Sequence, residues 1–399
     1  MDSQSCLLRD FEQSQGLVID PVSKFYVRTS GHDIDAASTA VSTLYSRSHG
    51  SHIVSSGMNA IMLTFMALQK HVGDVKCAGD GKAYELSPVI IMGDELYSDT
   101  QSHVVDWLRE NGFRVLLTDP SDYSRTMDLV KEHKERLVAM FFESCSNPSG
   151  AVVDWKILQE TRELNPGTWL IIDNTWLSPA IFNPFEYGAH IVLESGTKYL
   201  SGGQFIIGQI TTCSPDHPSD ALITRQRRLL GIHVSPLYCR QLVAQLASIQ
   251  DRVIGAVKRA QKFLKRVDEA KGICAEIPGE ADGIREAIPD EVDVWNRTEI
   301  QYSGIPNKRF ASGIIYFKIK IAKAPLKTSK WKGHVLNMIE DQGIKAETSY
   351  GKPYDSICNW VHRSHDKEQI MIRLAFGYDN NISNVDTLFR NMTCLVLSL

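Results

Sequence analysis

Ile191-Val-Leu-Glu-Ser-Gly-Thr-Lys-Tyr-Leu-Ser-Gly-Gly203 is the stretch that decides how the rest of the chain is read. An apolar run of strand length ends in a loop of small and hydroxylated residues carrying one lysine, Lys198. Ser195 and Thr197 can hydrogen-bond an anion, and Lys198 brings an amine. Enclosure makes a lysine release its proton more readily, and a neutral amine condenses with an aldehyde. Alone, the loop is a weak signal, because most lysines are simply solvated. Its weight comes from partners upstream, Asp173 and Ser56-Gly-Met58.

Upstream of this loop, apolar runs alternate with helical patterns. Strands are predicted at Val89–Met92, Arg114–Leu117, Val138–Phe142, Trp169–Ile172, Ile191–Leu193 and Phe205–Thr211. Helices are predicted at Asp33–Leu44, Thr100–Asn111, Ser124–His133 and Trp155–Glu163. Continuously apolar strands alternating with helices make a mostly parallel sheet covered on both faces, an α/β architecture. Ligands of such sheets sit beyond the carboxyl ends of the strands. Tyr97 follows the first strand, Asn147 the third, Asp173 the fourth and Lys198 the fifth. Ser56-Gly57-Met58 leads into an apolar helix whose first N–H groups and positive dipole end suit an anion. Gly57 there allows close approach to the backbone; a buried helix with a serine cap is the plainer alternative. Val72–Ser87 reads as a surface loop, since Gly79-Asp-Gly-Lys82 lacks the spacing of a phosphate loop.

The 399 residues suffice for two or three domains. Residues 1–32 read as an N-terminal arm, 33–240 as a large α/β domain and 241–399 as a smaller C-terminal α+β domain. A long helix is expected from Ser235 to Val267, then a strand at Gly313–Ile319, a helix near Trp331–Asp341 and a strand at Met371–Phe376. Hydrophobic content of 43% and charged content of 23% are ordinary for a soluble globular protein. A net charge of -4 and pI near 6.3 give no case for nucleic acid or an acidic membrane. Eight cysteines without CxxC spacing read as reduced thiols of a cytoplasmic protein. No leader or membrane-spanning run is expected. His362 and His365 lie at helical spacing without a third ligand nearby, so no metal is expected.

One cofactor would use all of these features: an aldehyde-bearing pyridine with a phosphate, pyridoxal 5'-phosphate. It needs a lysine for the aldehyde, a carboxylate at the ring nitrogen, hydroxyls and helix N–H groups for the phosphate, and an aromatic face for the ring. The chain offers Lys198, Asp173, the set Ser195, Thr197, Gly57 and Met58, and Tyr97.

From about Phe25 to Phe376 the chain resembles the Cys/Met-metabolism enzymes of the aspartate aminotransferase-like, fold type I pyridoxal-phosphate superfamily. That family includes the cystathionine synthases and lyases, methionine γ-lyase and the homoserine-ester sulfhydrylases. Ser56-Gly-Met58 resembles the family's S-G-M, Glu143-Ser-Cys-Ser-Asn-Pro148 its E-S-P-x-N-P, and Asp173-Asn-Thr175 its D-N-T. Ser195-Gly-Thr-Lys-Tyr-Leu-Ser201 resembles S-x-T-K-Y, and Arg373-Leu-Ala-Phe-Gly377 resembles R-L-S-V-G. The resemblance implies Lys198 as the Schiff-base residue, Asp173 at the pyridine nitrogen, Tyr97 stacked on the ring and Asn147 near its hydroxyl. It also implies Arg373 and Ser349 at the substrate α-carboxylate, with Tyr97, Lys198 and Asp173 catalytic. Two segments fit the family's Y-x-R, Tyr26-Val-Arg28 and Tyr45-Ser-Arg47. The first leaves room for a helix before S-G-M, so Tyr26 and Arg28 are taken to reach a neighbouring subunit's phosphate, in a homodimer or homotetramer. Elimination or replacement at the γ-carbon of an amino acid is the activity implied. The alternatives are a β-eliminating carbon–sulfur lyase and a silent scaffold.

The departures from the pattern cluster on the substrate side. Asp99 stands beside Tyr97, Gln204 lies in a loop that usually carries G-H-x-D, and Ser349-Tyr350-Gly351 replaces S-L-G.

Overall fold

The computed structural model describes residues 28, 30–77, 87–147, 150–276, 292–295, 300–301, 309–310, 313–320, 345–347, 349–364, 367–379 and 384–389. The chain enters through α1 (His32–Thr43) and β1 (Gly50–Val54). A 21-residue helix, α2 (Gly57–Cys77), follows. Then come β2 (Val89–Gly93), a π turn at Thr100–Val104 continued by α3 (Val105–Glu110), β3 (Arg114–Thr118), α4 (Tyr123–His133) and β4 (Leu137–Glu143). Next are α5 (Lys156–Leu164), β5 (Trp169–Asp173), the one-turn α6 (Ser178–Ile181), β6 (Ile191–Glu194), β7 (Gly208–Thr212) and α7 (Ser219–Leu229).

These strands form one seven-stranded sheet in the order β1-β7-β6-β5-β4-β2-β3. The pairs from β3 through β6 are parallel, and β7 and β1 close one edge antiparallel. β2, β4, β5 and β6 are buried along their whole length. That is what apolar strands sandwiched between helices require. One core layer gathers Met140, Phe142, Trp155, Leu170 and Ile172; the other gathers Phe65, Ile90, Phe141, Trp169 and Ile171.

The edge differs from expectation. Gly50–Val54, read as the approach to a helix, is a strand in register with β7, Ile53 opposite Gln209. β7 itself begins at Gly208 rather than Phe205. A Cβ on Gly208 would lie 2.2 Å from the Ser56 carbonyl oxygen, so only glycine lets these chains meet. α2 extends to Cys77, into the segment read as loop.

The helix expected over 235–267 is two: α8 (Pro236–Leu246) and α9 (Ile249–Glu276). The break at Ala247-Ser248 is held by Arg252, whose Nη1 donates to Ser248 Oγ (2.6 Å) and Gln245 Oε1 (3.3 Å).

Beyond α9, β8 (Val292–Trp295), β9 (Ile300–Gln301), β10 (Arg309–Phe310), β11 (Ile314–Lys320), β12 (Lys345–Ala346), β13 (Ser356–Ser364) and β14 (Lys367–Ala375) follow. Five of them make a second sheet, β12-β13-β14-β11-β8. His362 lies on strand β13; His365 lies outside the described residues, as does the helix expected near Trp331–Asp341. α9 is tied to this region by Arg259, whose Nη2 donates to both carboxylate oxygens of Asp355 (2.9 and 2.8 Å), both groups being buried. Losing one partner of such a pair costs about 3–5 kcal/mol, which makes the joint rigid.

At the amino end of β6, His190 stacks on His217 with ring centroids 4.7 Å apart. His190 Nδ1 accepts the Leu170 N–H at 3.2 Å, which requires that nitrogen to be unprotonated. Burial, the neighbouring imidazole and Arg162 push His190 down to about 3; burial, His71 and Arg162 push His217 down to about 4. Unfolded histidines take protons below about 6.5, whereas the folded pair does not. Stability contributed by the pair should therefore be complete above pH 6.5 and fall progressively as pH drops towards 4. His190→Gln should flatten that part of the profile. Denaturant titrations across pH 4–7 check this, and a wild-type slope unchanged in the variant would contradict it.

Candidate active site

Three buried carboxyl groups mark the carboxyl ends of neighbouring strands: Glu143 on β4, Asp173 on β5 and Glu194 on β6. Glu143 and Asp173 are register partners. Asp173 is 9% exposed, and its Oδ1 accepts two hydrogen bonds from Thr175, from the backbone N–H (2.9 Å) and the hydroxyl (2.5 Å). Thr175 Oγ1 in turn accepts the Ser195 N–H at 2.8 Å, stitching Asp173-Asn-Thr175 to the lysine loop. Burial raises the proton affinity of Asp173, against the pull of Thr175 and of the Lys198 charge.

Lys198 lies in the turn after β6. Its Nζ donates to Ser349 Oγ at 2.8 Å and stands 5.3 Å from the centre of the Tyr350 ring. Burial first, then the charges of Arg373 and Lys352, lower its pKa from 10.5 to about 8; Glu347 and Asp173 oppose them. The turn is held from below. Arg252 Nη2 donates to the carbonyls of Tyr199 (2.9 Å) and Leu200 (3.1 Å), and the Tyr378 hydroxyl donates to Gly202 O (3.2 Å). Gly351, at φ +74°, packs on the lysine's own backbone, where a Cβ would lie 2.7 Å from the Lys198 carbonyl carbon.

On the opposite side, α2 begins at Gly57, and a Cβ there would lie 2.8 Å from Ser195 Cβ. The N–H groups of Gly57 and Met58 sit in the first turn of a long helix, where no intrahelical acceptor serves them. Ser195 stands beside them. Thr197 is committed to the turn: its hydroxyl donates to Ile207 O and accepts the Ile207 N–H, each at 3.2 Å. The Met58 sulfur accepts the Thr100 hydroxyl at 3.9 Å.

Tyr97 is 41% exposed, and its backbone N–H donates to Glu143 Oε1 at 2.6 Å. Burial and Asp99 raise its pKa, which keeps the phenol protonated. Arg373, on β14, is 4% exposed, and its Nη1 donates to Asn147 Oδ1 at 3.1 Å. The Arg373 guanidinium carbon lies 5.4 Å from the Trp176 ring centre and 5.7 Å from that of Tyr350.

Lys198, Ser349, Asp173, Ser195, Gly57, Asn147 and Arg373 are thus joined by direct contacts or through a single shared neighbour. Arg28 is exposed, and Tyr26 lies outside the described residues. Tyr45, of the second Y-x-R segment, is in the core; its hydroxyl donates to Glu194, and Asn174 Nδ2 donates to that hydroxyl at 3.3 Å. Burial raises Glu194 to about 8. Sequence reasoning singled out neither Glu143, Trp176 nor Arg252. Glu143 opens a quoted motif and Trp176 adjoins one, so both were legible there. Arg252 had no signal, because its role rests on a contact with carbonyls 52 and 53 residues away.

The donor set fits pyridoxal phosphate. It has an enclosed amine, an acid with one oxygen uncommitted among the described bonds, and a helix start whose glycine is pressed against a serine. Among the described residues no group of three or more His, Cys, Asp or Glu is arranged to hold a metal, and no helix is long and apolar enough to cross a membrane.

The model of the Cys/Met metabolism PLP-dependent enzymes matches residues 8–273. A cystathionine β-lyase of Schizosaccharomyces pombe is 30% identical over 194 residues, 48% of this chain and 48% of that protein. An L-methionine γ-lyase of Fusobacterium nucleatum subsp. polymorphum is 24% identical over 211 residues, 53% of this chain and 49% of that protein. The chain spans about half the length of the curated relatives it matches. A crystal structure of cystathionine γ-synthase from Xanthomonas oryzae pv. oryzae with cystathionine superposes with a TM-score of 0.68 at 17% identity, covering 92% of this chain and 86% of that one. The likeness to that structure is one of fold, the fold type I architecture of pyridoxal-phosphate enzymes. With the family model matched over most of its length, and with Asp173 and Lys198 at the ends of neighbouring strands, the chain belongs to the Cys/Met metabolism PLP-dependent enzyme family.

Proposed function

We propose that this protein uses pyridoxal 5'-phosphate to eliminate or replace a substituent at the γ-carbon of an amino acid. Cystathionine, a homoserine ester, a methionine-like or a specialised γ-substituted amino acid is the substrate class. The observation that carries the reading is Lys198, an enclosed amine lowered to about 8 and held between Ser349 and the ring of Tyr350. The cofactor, when bound, supplies an electron sink for charge developing at the substrate carbons.

The chain's residues supply the rest. Asp173 keeps a proton on the ring nitrogen. Gly57, Met58 and Ser195 hold the phosphate, with Thr197 bracing the turn. Tyr97 would cover the ring and, protonated, donate towards a departing group; Asn147 would hold the ring hydroxyl. Arg373 binds the α-carboxylate through a forked contact, with Ser349 beside it. Lys198, as a free amine, would take and return the α-proton. The large unit at 33–240 carries the cofactor, the unit at 241–399 supplies Ser349 and Arg373, and the arm at 1–32 brings Tyr26 and Arg28 to a neighbouring subunit. A homodimer or homotetramer in the cytoplasm is proposed. Exposed Ile206 and Tyr238, joined through the Phe205–Tyr238 stack, suit a face covered by a second copy. The second reading, β-elimination at a carbon–sulfur bond, is favoured by the cystathionine β-lyase relative.

Purified protein loaded with pyridoxal phosphate should be yellow and turn over one of cystathionine, homoserine esters, methionine or γ-halogenated amino acids, with products read by mass. 2-Oxobutyrate or a γ-replaced amino acid supports the γ reading, pyruvate the β reading, and no turnover across the panel a scaffold. In cofactor-free protein, an amine-directed reagent should modify Lys198 with a midpoint near pH 8 by peptide mass; a midpoint near 10.5 would contradict its enclosure. Arg373→Ala should raise KM by about 10- to 100-fold, the worth of a hydrogen bond to a charged group, with a smaller effect on kcat. Unchanged KM would place the carboxylate elsewhere.

A further inference from the structure

The Arg373 guanidinium carbon lies 5.4 Å from the Trp176 ring centre and 5.7 Å from that of Tyr350, and these two rings pack side by side against it, their centres 5.2 Å apart at an interplanar angle of 35°. Rings so placed attract the cation from one side, and the bond from Nη1 to Asn147 Oδ1 (3.1 Å) restrains it further, which limits the directions in which its N–H groups can meet a carboxylate. Tyr350 serves a second cation as well, since its ring centre is 5.3 Å from Lys198 Nζ and 5.7 Å from Arg373 Cζ. One ring therefore touches both groups that the two polar ends of one amino acid would meet.

The ring is itself immobilised. Tyr350 is 5% exposed and packs on Tyr199 at 5.7 Å between ring centres. Its chain neighbours are pinned on either side, Ser349 by Lys198 and by the Ser356 hydroxyl, which donates to Ser349 O at 2.8 Å, and Gly351 by its close approach to the Lys198 backbone. Tyr350 cannot swing away without breaking these contacts. An aliphatic side chain here would fill space but offer no π face.

We propose that Tyr350 is a positioning and specificity-determining residue: its ring, not its hydroxyl, sets the spacing between the Lys198 amine and the Arg373 guanidinium and so selects amino acids with amine and carboxylate on one carbon. This rests on the reading of Lys198 and Arg373 given under Proposed function. A β-amino acid, with one more carbon between the two groups, mismatches the fixed spacing.

The test uses cofactor-loaded wild type, Tyr350→Leu and Tyr350→Phe, titrated by absorbance with L-alanine and β-alanine, and with propionate as an amine-free competitor. Wild type should prefer L-alanine. Y350L should lose about tenfold in affinity for L-alanine and propionate, the scale of a desolvated cation–π contact, and its preference over β-alanine should narrow. Y350F should retain affinity and preference. If Y350L does not load cofactor, Tyr350→Met, unbranched and flexible, carries the same expectation. Wild-type affinities in the aliphatic variant, or a Y350F as impaired as Y350L, would overturn the role of the ring. A wild type without cofactor absorbance, or blind to every amino acid, would overturn the underlying reading too, and that result is visible without any variant.

Discussion

The site depends on the close approach of two turns that lie far apart in the chain. The turn Ser349-Tyr350-Gly351 presses onto the turn that carries Lys198, and at Gly351 backbone meets backbone where no side chain fits. The other flank repeats the device: Gly208 admits the Ser56 carbonyl, and Gly57 lies against Ser195. The lysine turn is thus gripped on one side by the start of α2 and on the other by the loop before β13, with Arg252 bonding its carbonyls from beneath. Glycine is the residue that permits each approach, at some cost in chain entropy. What is gained is a lysine whose backbone has little room to move, so that its amine is aimed by Ser349 and Tyr350.

That grip also settles the electrostatics. An amine in water would keep its proton to about 10.4. Here burial is the largest influence on Lys198, and two neighbouring cations add to it. The carboxyls behind it are arranged in complementary fashion. Glu143 is wholly enclosed and lies beside Asp173, and its proton affinity rises well above the usual range. Asp173, with two donors from Thr175 and the lysine charge nearby, is raised less. Two buried acids side by side do not both ionise readily. Burial and the neighbouring Asp173 raise Glu143, while Thr175 and the Lys198 charge oppose the rise at Asp173. Glu143 holds the Tyr97 backbone, linking the aromatic cover to the acid beneath it.

Much of this was legible because burial writes itself into sequence. Val89–Gly93 is apolar throughout, Leu137–Glu143 and Trp169–Asp173 are apolar up to their terminal acids, and the ends fall within a residue or two of the predicted ones. β1 was not legible, since Gly50-Ser-His-Ile-Val mixes polar and apolar residues and its identity comes from pairing with β7. α7 was missed for a related reason: its many charged residues face water, and only Ser219, Ile223, Gln226 and Arg227 are buried. The division of α8 from α9 turns on Arg252 bonding to Ser248 and Gln245, a contact that periodicity does not encode. At the site, the lysine, the acid and the anion cradle each belong to a local motif. The Arg373 environment does not, because Asn147, Trp176 and Tyr350 converge from three separate segments.

This difference between local and assembled features explains where the chain departs from its family's pattern. The residues proposed to hold the cofactor sit at strand ends and helix starts, and the backbone itself fixes them there. Those proposed to face the substrate, Ser349 before β13 and Arg373 on β14, meet Lys198 and Asn147 from a distant part of the chain. A change from an aliphatic residue to Tyr350 disturbs no strand, yet it alters what surrounds both Lys198 and Arg373. Lys352, paired with Glu347 and packed against Gly203, changes the same space from its other side. Its charge reaches Lys198, while its partner's opposes it. On the proposed reading, substitutions at these positions retune which amino acid enters, while the backbone that places Lys198, Asp173 and the start of α2 stays as it is.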